Sequence, residues 1–337
     1  MATLNDIAIA AGVNVSTVSR VLNRTGGISE ETVRSVLRVA EEVGYKPKRK
    51  RAQTKAIGII INELASQYYG KLLHMLEKRI REKNYGMLLT LTDFRFSKLL
   101  DAFSIMGNNG VEGIICSQIV DMSPAMRDEI YLAAEKTGVP VVFLSDGYDE
   151  GDPRFDQINL NQRRGMEQIV NHLMSLGHER IGFVGEVLSI SRVQILESLM
   201  EAHHMTITPD HIKVGETRFE QGGYEQMKLL LLEPERPTAV IAGYDQVAVG
   251  ALKAIWEAGL RVPEDISLVG FDNIVLDEYL PRKLTSVTNP VDSMAQIATK
   301  LLFGRIEDST AVTQTVSLHP TLIVRETTMA LSQQKSG

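Results

Sequence analysis

Residues 3–23 read TLNDIAIAAGVNVSTVSRVLN, and this stretch decides the architecture of the N-terminal end. The Thr3 hydroxyl can accept from a first-turn amide, and the Asp6 carboxylate lies near the positive end of the same helix. A helix is therefore predicted from Thr3 on, with Ile7, Ala8, Ala10 and Ala11 as a small apolar face and Gly12 as a left-handed C-cap. Two residues later Asn14 can cap a second helix, Val15 to Asn23. Its Val18, Val21 and Leu22 recur at helical spacing and point inward. Val15, Ser16, Thr17, Ser19 and Arg20 are left for the outer face. A third helix is predicted after Ser29 through Val33, Val36, Leu37 and Ala40, stopping at Gly44 with Pro47 just beyond. Three short helices, the first two joined by a tight glycine turn, make a helix-turn-helix. The helical pattern alone also fits a small bundle with no nucleic-acid role.

Charge separates this head from the rest. The 337 residues carry a net charge of −6, but residues 1–55 hold ten Lys/Arg against five Asp/Glu, a balance of +5 that leaves −11 for the remainder. Six basic residues, Lys46, Lys48, Arg49, Lys50, Arg51 and Lys55, fall within ten positions. Such a run is commonly a solvated tail; directly behind a helix-turn-helix it becomes a phosphate-binding candidate. The length calls for about two to three packed units. A composition of 44% hydrophobic and 23% charged residues is that of a globular protein, with no apolar run near the roughly 20 residues that cross a bilayer. The N-terminus lacks a signal-peptide pattern and the one cysteine, Cys116, cannot form an intrachain disulfide, so a cytoplasmic protein is expected.

From Ala56 the pattern changes to short apolar runs alternating with amphipathic stretches. Strands are predicted at Ala56–Ile61, Met87–Leu91, Val111–Cys116 and Val139–Leu144, with helices such as Tyr69–Lys83 and Pro124–Lys136 between them. A second series begins near Asn161, with strands at Arg180–Val184, Ile212–Val214, Thr238–Ala242 and Ser267–Phe271. The fold expected is α/β: two doubly wound parallel-sheet subdomains preceded by a small all-α helix-turn-helix domain. The division expected is a head over residues 1–47, a basic linker over 48–56 and a body over 57–337. Within the body, one subdomain takes about 57–160 plus 290–320 and the other about 161–289 plus 321–330. Doubly wound units bind ligands at the carboxyl ends of their strands, so the cleft between two of them is the default site.

These segments resemble one family closely. Residues 3–8 (TLNDIA), 11–23 (AGVNVSTVSRVLN), 28–34 (ISEETVR) and 42–47 (EVGYKP) are similar to the DNA-binding head of the LacI-type family of bacterial transcription regulators. Residues 172–183 (HLMSLGHERIGF), 237–245 (PTAVIAGYD), 250–255 (GALKAI) and 259–272 (GLRVPEDISLVGFD), continuing into Leu284-Thr285-Ser286-Val287, resemble its periplasmic-binding-protein-like sensor. The resemblance implies a homodimeric, operator-binding repressor that answers to a small molecule, a sugar or sugar derivative. Its operator is expected to be a pseudo-palindrome. In the head it assigns Val15, Ser16 and Arg20 to base edges and Thr17 and Ser19 to phosphates, with Thr3, Asn23, Lys48, Arg49, Lys50 and Arg51 also on DNA. The chemistry agrees: Arg donates to guanine O6/N7, and Val packs on a thymine methyl. In the body it assigns the effector to Asp272 and Asp245, to Tyr68 and Tyr69 of the Ser66-Gln67-Tyr68-Tyr69 segment, and to Arg192, Asp146 and Asn289. A carboxylate can accept paired hydroxyl hydrogen bonds, and a tyrosine ring can stack on a sugar face.

Departures from the family and plainer readings stand beside these assignments. Gly243-Tyr244-Asp245 replaces the family's Ala-Asn-Asp, and Asn161-Gln162 replaces its commoner Asp-Asn pair. Family members place a hinge helix with a DNA-wedging leucine between head and body. Residues 48–55 here, KRKRAQTK, hold no Leu, Ile, Phe or Met. Tyr68 or Tyr69 could be helix-face core, Asp272 could cap a turn, and His178 reads as a structural turn residue. His203 and His204 lack further ligands at metal spacing, and no P-loop, Gly-x-Ser-x-Gly or Gly-x-Gly-x-x-Gly pattern occurs. No cofactor, metal, membrane contact or catalytic role is expected. The competing class is a solute-binding protein or sugar-processing enzyme with a basic N-terminal segment. Within the regulators, purine-corepressor and phosphoprotein-partnered modes stay open.

Overall fold

A computed structural model describes residues 3–22, 27–42, 55–118, 122–145 and 152–333. The chain forms two compact units, Met1–Thr54 and Lys55–Gly337. The first contains helices α1 (Leu4–Ala11), α2 (Val15–Leu22) and α3 (Glu30–Glu42), the first two joined by a three-residue turn. Thr3 and Asp6 form a reciprocal capping box: the Thr3 N–H donates to Asp6 Oδ2 at 2.7 Å and the Asp6 N–H to Thr3 Oγ1 at 3.4 Å. Gly12 ends α1 at φ 65°, a backbone state that side-chain-bearing residues rarely adopt. The core of this unit is Ile7, Ala8, Val18, Val21, Val36, Val39 and Ala40. Two core expectations are corrected: Ala10 is exposed, and Leu37 is 48% exposed. Successive helical residues are turned by about 100°, so the face that buries Val36 and Ala40 takes Val39 and leaves Leu37 outside. Gly44, Pro47 and the basic segment before Lys55 lie outside the described residues.

The second unit holds two six-stranded sheets. Strands β1 (Ala56–Ile61), β2 (Gly86–Leu91), β3 (Gly113–Ser117), β4 (Val141–Ser145), β5 (Asp156–Leu160) and, after a long excursion, β11 (Thr315–Leu318) form the first, in the order β11-β5-β4-β3-β1-β2 and all parallel. Strands β6 (Ile181–Glu186), β7 (Ile212–Gly215), β8 (Ala239–Ala242), β9 (Ser267–Phe271), β10 (Thr285–Thr288) and β12 (Thr321–Ile323) form the second, in the order β12-β10-β9-β8-β6-β7. Here β12 alone runs antiparallel. Each strand order reverses, as in a doubly wound sheet. Central strands such as β1 (AIGIII) are apolar throughout because helices cover both faces. On one face of the first sheet α4 (Gln67–Glu82) and α11 (Val291–Glu307) pack Leu72, Leu76, Met294 and Leu302; on the other α5 (Phe96–Asn108) and α6 (Pro124–Lys136) pack Phe103, Met106 and Ile130. Helices α7 (Gln162–Ser175), α8 (Ile190–Ala202), α9 (Phe219–Leu231) and α10 (Asp245–Glu257) contribute to one core with the second sheet.

Strand β5 (DQINL) escaped the apolar-run reading because Asp156, Gln157 and Asn159 are polar, yet all are buried. Most of their polarity is paired inside: Arg305 Nε donates to Asp156 Oδ2 at 2.9 Å and Gln157 Nε2 to Asn159 Oδ1 at 2.6 Å, while Gln157 Oε1 is left without a partner. Three connections cross between the lobes, between β5 and α7, between β10 and α11, and between β11 and β12. Helices α9 and α10 touch backbone to backbone: a Cβ on Gly250 would stand 1.8 Å from the Glu220 carbonyl, and one on Gly223 2.0 Å from that of Val247. No side chain fits there, and the two helix N-termini are held side by side. Among the described residues no helix is long and apolar enough to cross a membrane.

Candidate functional site

On the head, α2 buries Val18 and Val21 and turns Val15, Ser16 and Arg20 to the surface, with Thr17 and Ser19 half-buried beside them. The Asn14 carbonyl starts the helix by accepting from the Thr17 and Val18 N–H groups at 2.8 and 3.1 Å. An arginine and a serine hydroxyl one turn apart on an exposed helical ridge, with a methyl-bearing valine at its start, offer the donors and apolar contact that read base edges in a major groove. Thr3 stands at the N-terminus of α1, its hydroxyl donating to Asp6 Oδ2 at 2.9 Å. Asn23, Lys48, Arg49, Lys50 and Arg51 lie outside the described residues.

In the body a cavity of about 370 Å³ opens between the two lobes. Its wall comes from the carboxyl ends of strands: Glu63 after β1, Phe94 after β2, Gln162 after β5, Glu186 ending β6, Arg218 and Phe219 after β7, Tyr244 after β8, Asp272 after β9 and Asn289 after β10. Parallel strands deliver their following loops to one edge, so residues far apart in sequence converge. Three of these side chains sit on left-handed backbone: Phe94 at φ 56°, Phe219 at 57° and Asp272 at 98°. Such conformations cost about 1–3 kcal/mol each and persist where surrounding structure over-determines them, often at binding sites.

Two guanidinium groups organise the cavity. Arg192 donates from Nε to Gln162 Oε1 at 2.7 Å and from Nη1 to the Gly243 carbonyl, and lies 4.5 Å over the Phe271 ring. Beside it, burial pushes the Asp272 carboxyl above its ordinary range, opposed by the Arg192 charge and by the Asn289 amide, which donates to Asp272 Oδ1 at 2.9 Å. Arg218 donates from Nη1 and Nη2 to both oxygens of Glu63 at 2.5 and 2.9 Å, and from Nε to Glu186 at 2.7 Å. Burial works against its charge, but the two carboxylates outweigh that and raise its pKa. The Tyr244 hydroxyl donates to Glu186 at 2.6 Å and accepts from the Phe219 N–H at 3.1 Å; burial and the Glu186 bond push its phenol up. Each arginine therefore faces at least one carboxylate, and among the described residues the wall carries one more negative group than positive.

Of the residues expected at the effector site, Tyr68, Tyr69, Arg192, Asp272 and Asn289 line this cavity. Tyr69 is largely core: its ring is 6% exposed, edge-on to Tyr68 and Phe94, and its hydroxyl accepts from Asn62 Nδ2 at 2.8 Å. Asp146 lies outside the described residues. Asp245 is corrected: it does not line the cavity but is fully buried, accepting from Ser286 Oγ at 2.7 Å and from the Ile274 N–H at 3.0 Å. Burial and then the Asp277 carboxyl beside it push Asp245 well up. The residue before it, Tyr244, takes the cavity position. Sequence reasoning also missed Glu63, Phe94, Glu186, Arg218 and Phe219; the available signal was a charged or aromatic residue shortly after each apolar strand run. His178 is buried between Thr238 Oγ1 and the Met329 carbonyl, at 2.9 and 3.0 Å, and burial holds its pKa down. Among the described residues no group of three or more His, Cys, Asp or Glu could hold a metal.

The model of the lacI family of bacterial regulatory proteins matches residues 3–48, and that of a periplasmic binding protein-like domain matches residues 170–328. The HTH-type transcriptional repressor PurR of Pasteurella multocida is 31% identical over 336 residues, covering 97% of this chain and 98% of that protein. PurR of Escherichia coli O139:H28 is 32% identical, with 96% of each covered. Among solved structures, the lac repressor dimer bound to operator and the anti-inducer ONPF superimposes with a TM-score of 0.73 at 26% identity, covering 98% of this chain and 99% of that one. With a helix-turn-helix head, a body of two doubly wound lobes and this likeness along nearly its whole length, the chain belongs to the LacI family of bacterial regulatory proteins, DNA-binding transcriptional regulators rather than enzymes.

Proposed function

We propose that this protein represses transcription in the cytoplasm by binding a pseudo-palindromic operator as a homodimer, and that an uncharged, polyhydroxylated effector held in the cleft sets its operator affinity. Residues 1–47 serve as the reading head, 48–56 as a basic linker, and 57–337 as the sensor, divided at about 160, 290 and 320. In the head Arg20, Ser16 and Val15 read bases. Thr17, Ser19, Thr3 and Asn23 hold the backbone, and Lys48, Arg49, Lys50 and Arg51 track phosphates. In the sensor Asp272 and Asn289 accept and donate to hydroxyl groups, Arg192 supplies a further donor, and Tyr68 offers a ring face, with Tyr69 behind it. Asp146 completes the set.

The observation that carries this reading is the union, in one chain, of an exposed polar ridge on α2 with a cavity walled by strand ends of two lobes. A carbohydrate is favoured by the compensated arginines and surplus carboxylate, which leave little to attract a phosphate or sugar acid, and by aromatic rings that suit a sugar face. A flat purine is the second reading, favoured by the PurR relatives and by the rings of Phe94 and Phe219 in the wall. The homodimer is supported by the exposed apolar side chains Val275, Leu276 and Tyr279, 72%, 37% and 79% exposed, which a second copy would cover. Selection from a random duplex pool tests the DNA reading: a two-half-site palindrome should be enriched, and recovery of no sequence would refute it. A thermal-shift panel of pentoses, hexoses, sugar phosphates and purine bases tests the effector, since a ligand at about 100 times its Kd adds about 2.7 kcal/mol of stability.

A further inference from the structure

Arg218 stands at the foot of α9, on the second lobe, and its guanidinium reaches across the cleft. On its own side Nε is anchored to Glu186, whose other oxygen is held by the Tyr244 hydroxyl. On the far side the two terminal nitrogens grip both oxygens of Glu63, which follows β1 of the first lobe. The Glu63 and Glu186 side chains are 10% and 1% exposed. The guanidinium is also flanked by one ring from each lobe, Phe219 at 4.4 Å and Phe94 at 5.3 Å. The contact of the Gln67 N–H with Gln246 Oε1, which also joins the lobes, is 3.4 Å long and correspondingly weak. Without Arg218, closing the lobes would bring two poorly hydrated carboxylates toward one another. With it, the same closure forms a forked, charge-assisted pair.

We propose that Glu63, Arg218 and Glu186 form an ionic latch that fastens the two lobes to one another across the cleft and biases the sensor toward its closed state independently of the effector. The proposal rests on the cleft being the effector site; Arg218 acts as a positioning residue, fixing the lobes and the Phe219 and Tyr244 walls rather than reporting on the ligand. Bidentate geometry and shielding make the latch stronger than an exposed pair, and its loss leaves one carboxylate without its partner. The effector's own differential affinity for the two states then acts on an equilibrium whose starting point the latch has set.

The test measures interlobe distance on the full-length protein without effector or DNA. Spin labels at Ser104→Cys in α5 and Glu201→Cys in α8, both exposed positions on opposite lobes, report closure, while the native Cys116 is buried. Dilution with unlabelled protein suppresses distances between subunits. The parent protein should give one dominant short distance. Glu63→Gln, which keeps the shape and removes the charge, should lower the closed-to-open ratio about tenfold or more. Arg218→Lys, which keeps the charge but cannot fork between the carboxylates, should fall between them. A parent protein that is already open overturns the proposal, as does a parent-like distribution in either variant with an intact cooperative thermal transition. Operator binding by the same proteins is scored separately: its absence from the parent would remove the repressor reading and leave the distance result standing.

Discussion

The buried carboxyl pair beneath the cleft should make the sensor less stable as pH rises, and Asp277→Asn should relieve part of that loss. Asp277 is fully buried and neither of its carboxyl oxygens makes a hydrogen bond of normal geometry. Burial pushes its carboxyl up to about 6, opposed by the neighbouring Asp245, the Arg325 charge and the Ile274 backbone, with the Asp272 charge adding to the rise. Asp245 is pushed well up in the same way, by burial first and then by the Asp277 carboxyl. In an unfolded chain both groups titrate near 3.8. Between those values the folded state binds more protons than the unfolded one, so for Asp277 stability falls as pH rises through the window from about 4 to about 6, and the raised Asp245 acts in the same direction. For Asp277 alone the two-unit difference corresponds to about 3 kcal/mol lost by pH 7. An asparagine keeps the shape, donates an N–H to Asp245 and carries no charge to desolvate. Urea titrations of the parent and of Asp277→Asn from pH 4 to 8 should therefore coincide near pH 4 and diverge with rising pH, the variant becoming more stable by up to about 3 kcal/mol. A variant less stable than the parent at pH 7, or a difference that does not change with pH, would refute the reasoning.

Three further outcomes follow from the proposed function. Arg20→Ala or Ser16→Ala should weaken operator binding by about 1–3 kcal/mol while changing binding to random duplex far less; equal losses in a competition assay would reduce both residues to phosphate contacts. Asp272→Ala should give a folded, operator-binding protein that no longer responds to effector, and an unchanged effector Kd by calorimetry would return Asp272 to a purely structural role. Replacing Lys48, Arg49, Lys50 and Arg51 with Gln should flatten the log-log salt dependence of operator binding, by up to about 0.9 for each phosphate contact removed; a slope equal to the parent's would make the segment a spacer.

How much of this was readable from residues alone divides along a physical line. Local rules were enough wherever a segment's own neighbours settle its conformation. The Thr3–Asp6 capping box, the Gly12 turn and the burial of Val18 and Val21 come from interactions within a few residues, so the helix-turn-helix was readable in 21 letters. The basic head and acidic body follow from counting, and the apolar strands of both sheets follow from their two covered faces. Tertiary structure decided what depends on strand order and on which way a side chain turns. The polar strand β5 is held in the sheet by its ladders with β4 and β11, and Arg305, 149 positions away, pairs with its buried Asp156. Tyr244 reaches the cleft and Asp245 does not because Tyr244 is the extended N-cap residue and Asp245 the first residue of the helix, so their side chains leave the backbone in different directions. Glu63 and Arg218 are 155 positions apart. They meet only because two parallel sheets present their carboxyl ends to one cleft, and a contact made by topology leaves no periodic trace in the chain.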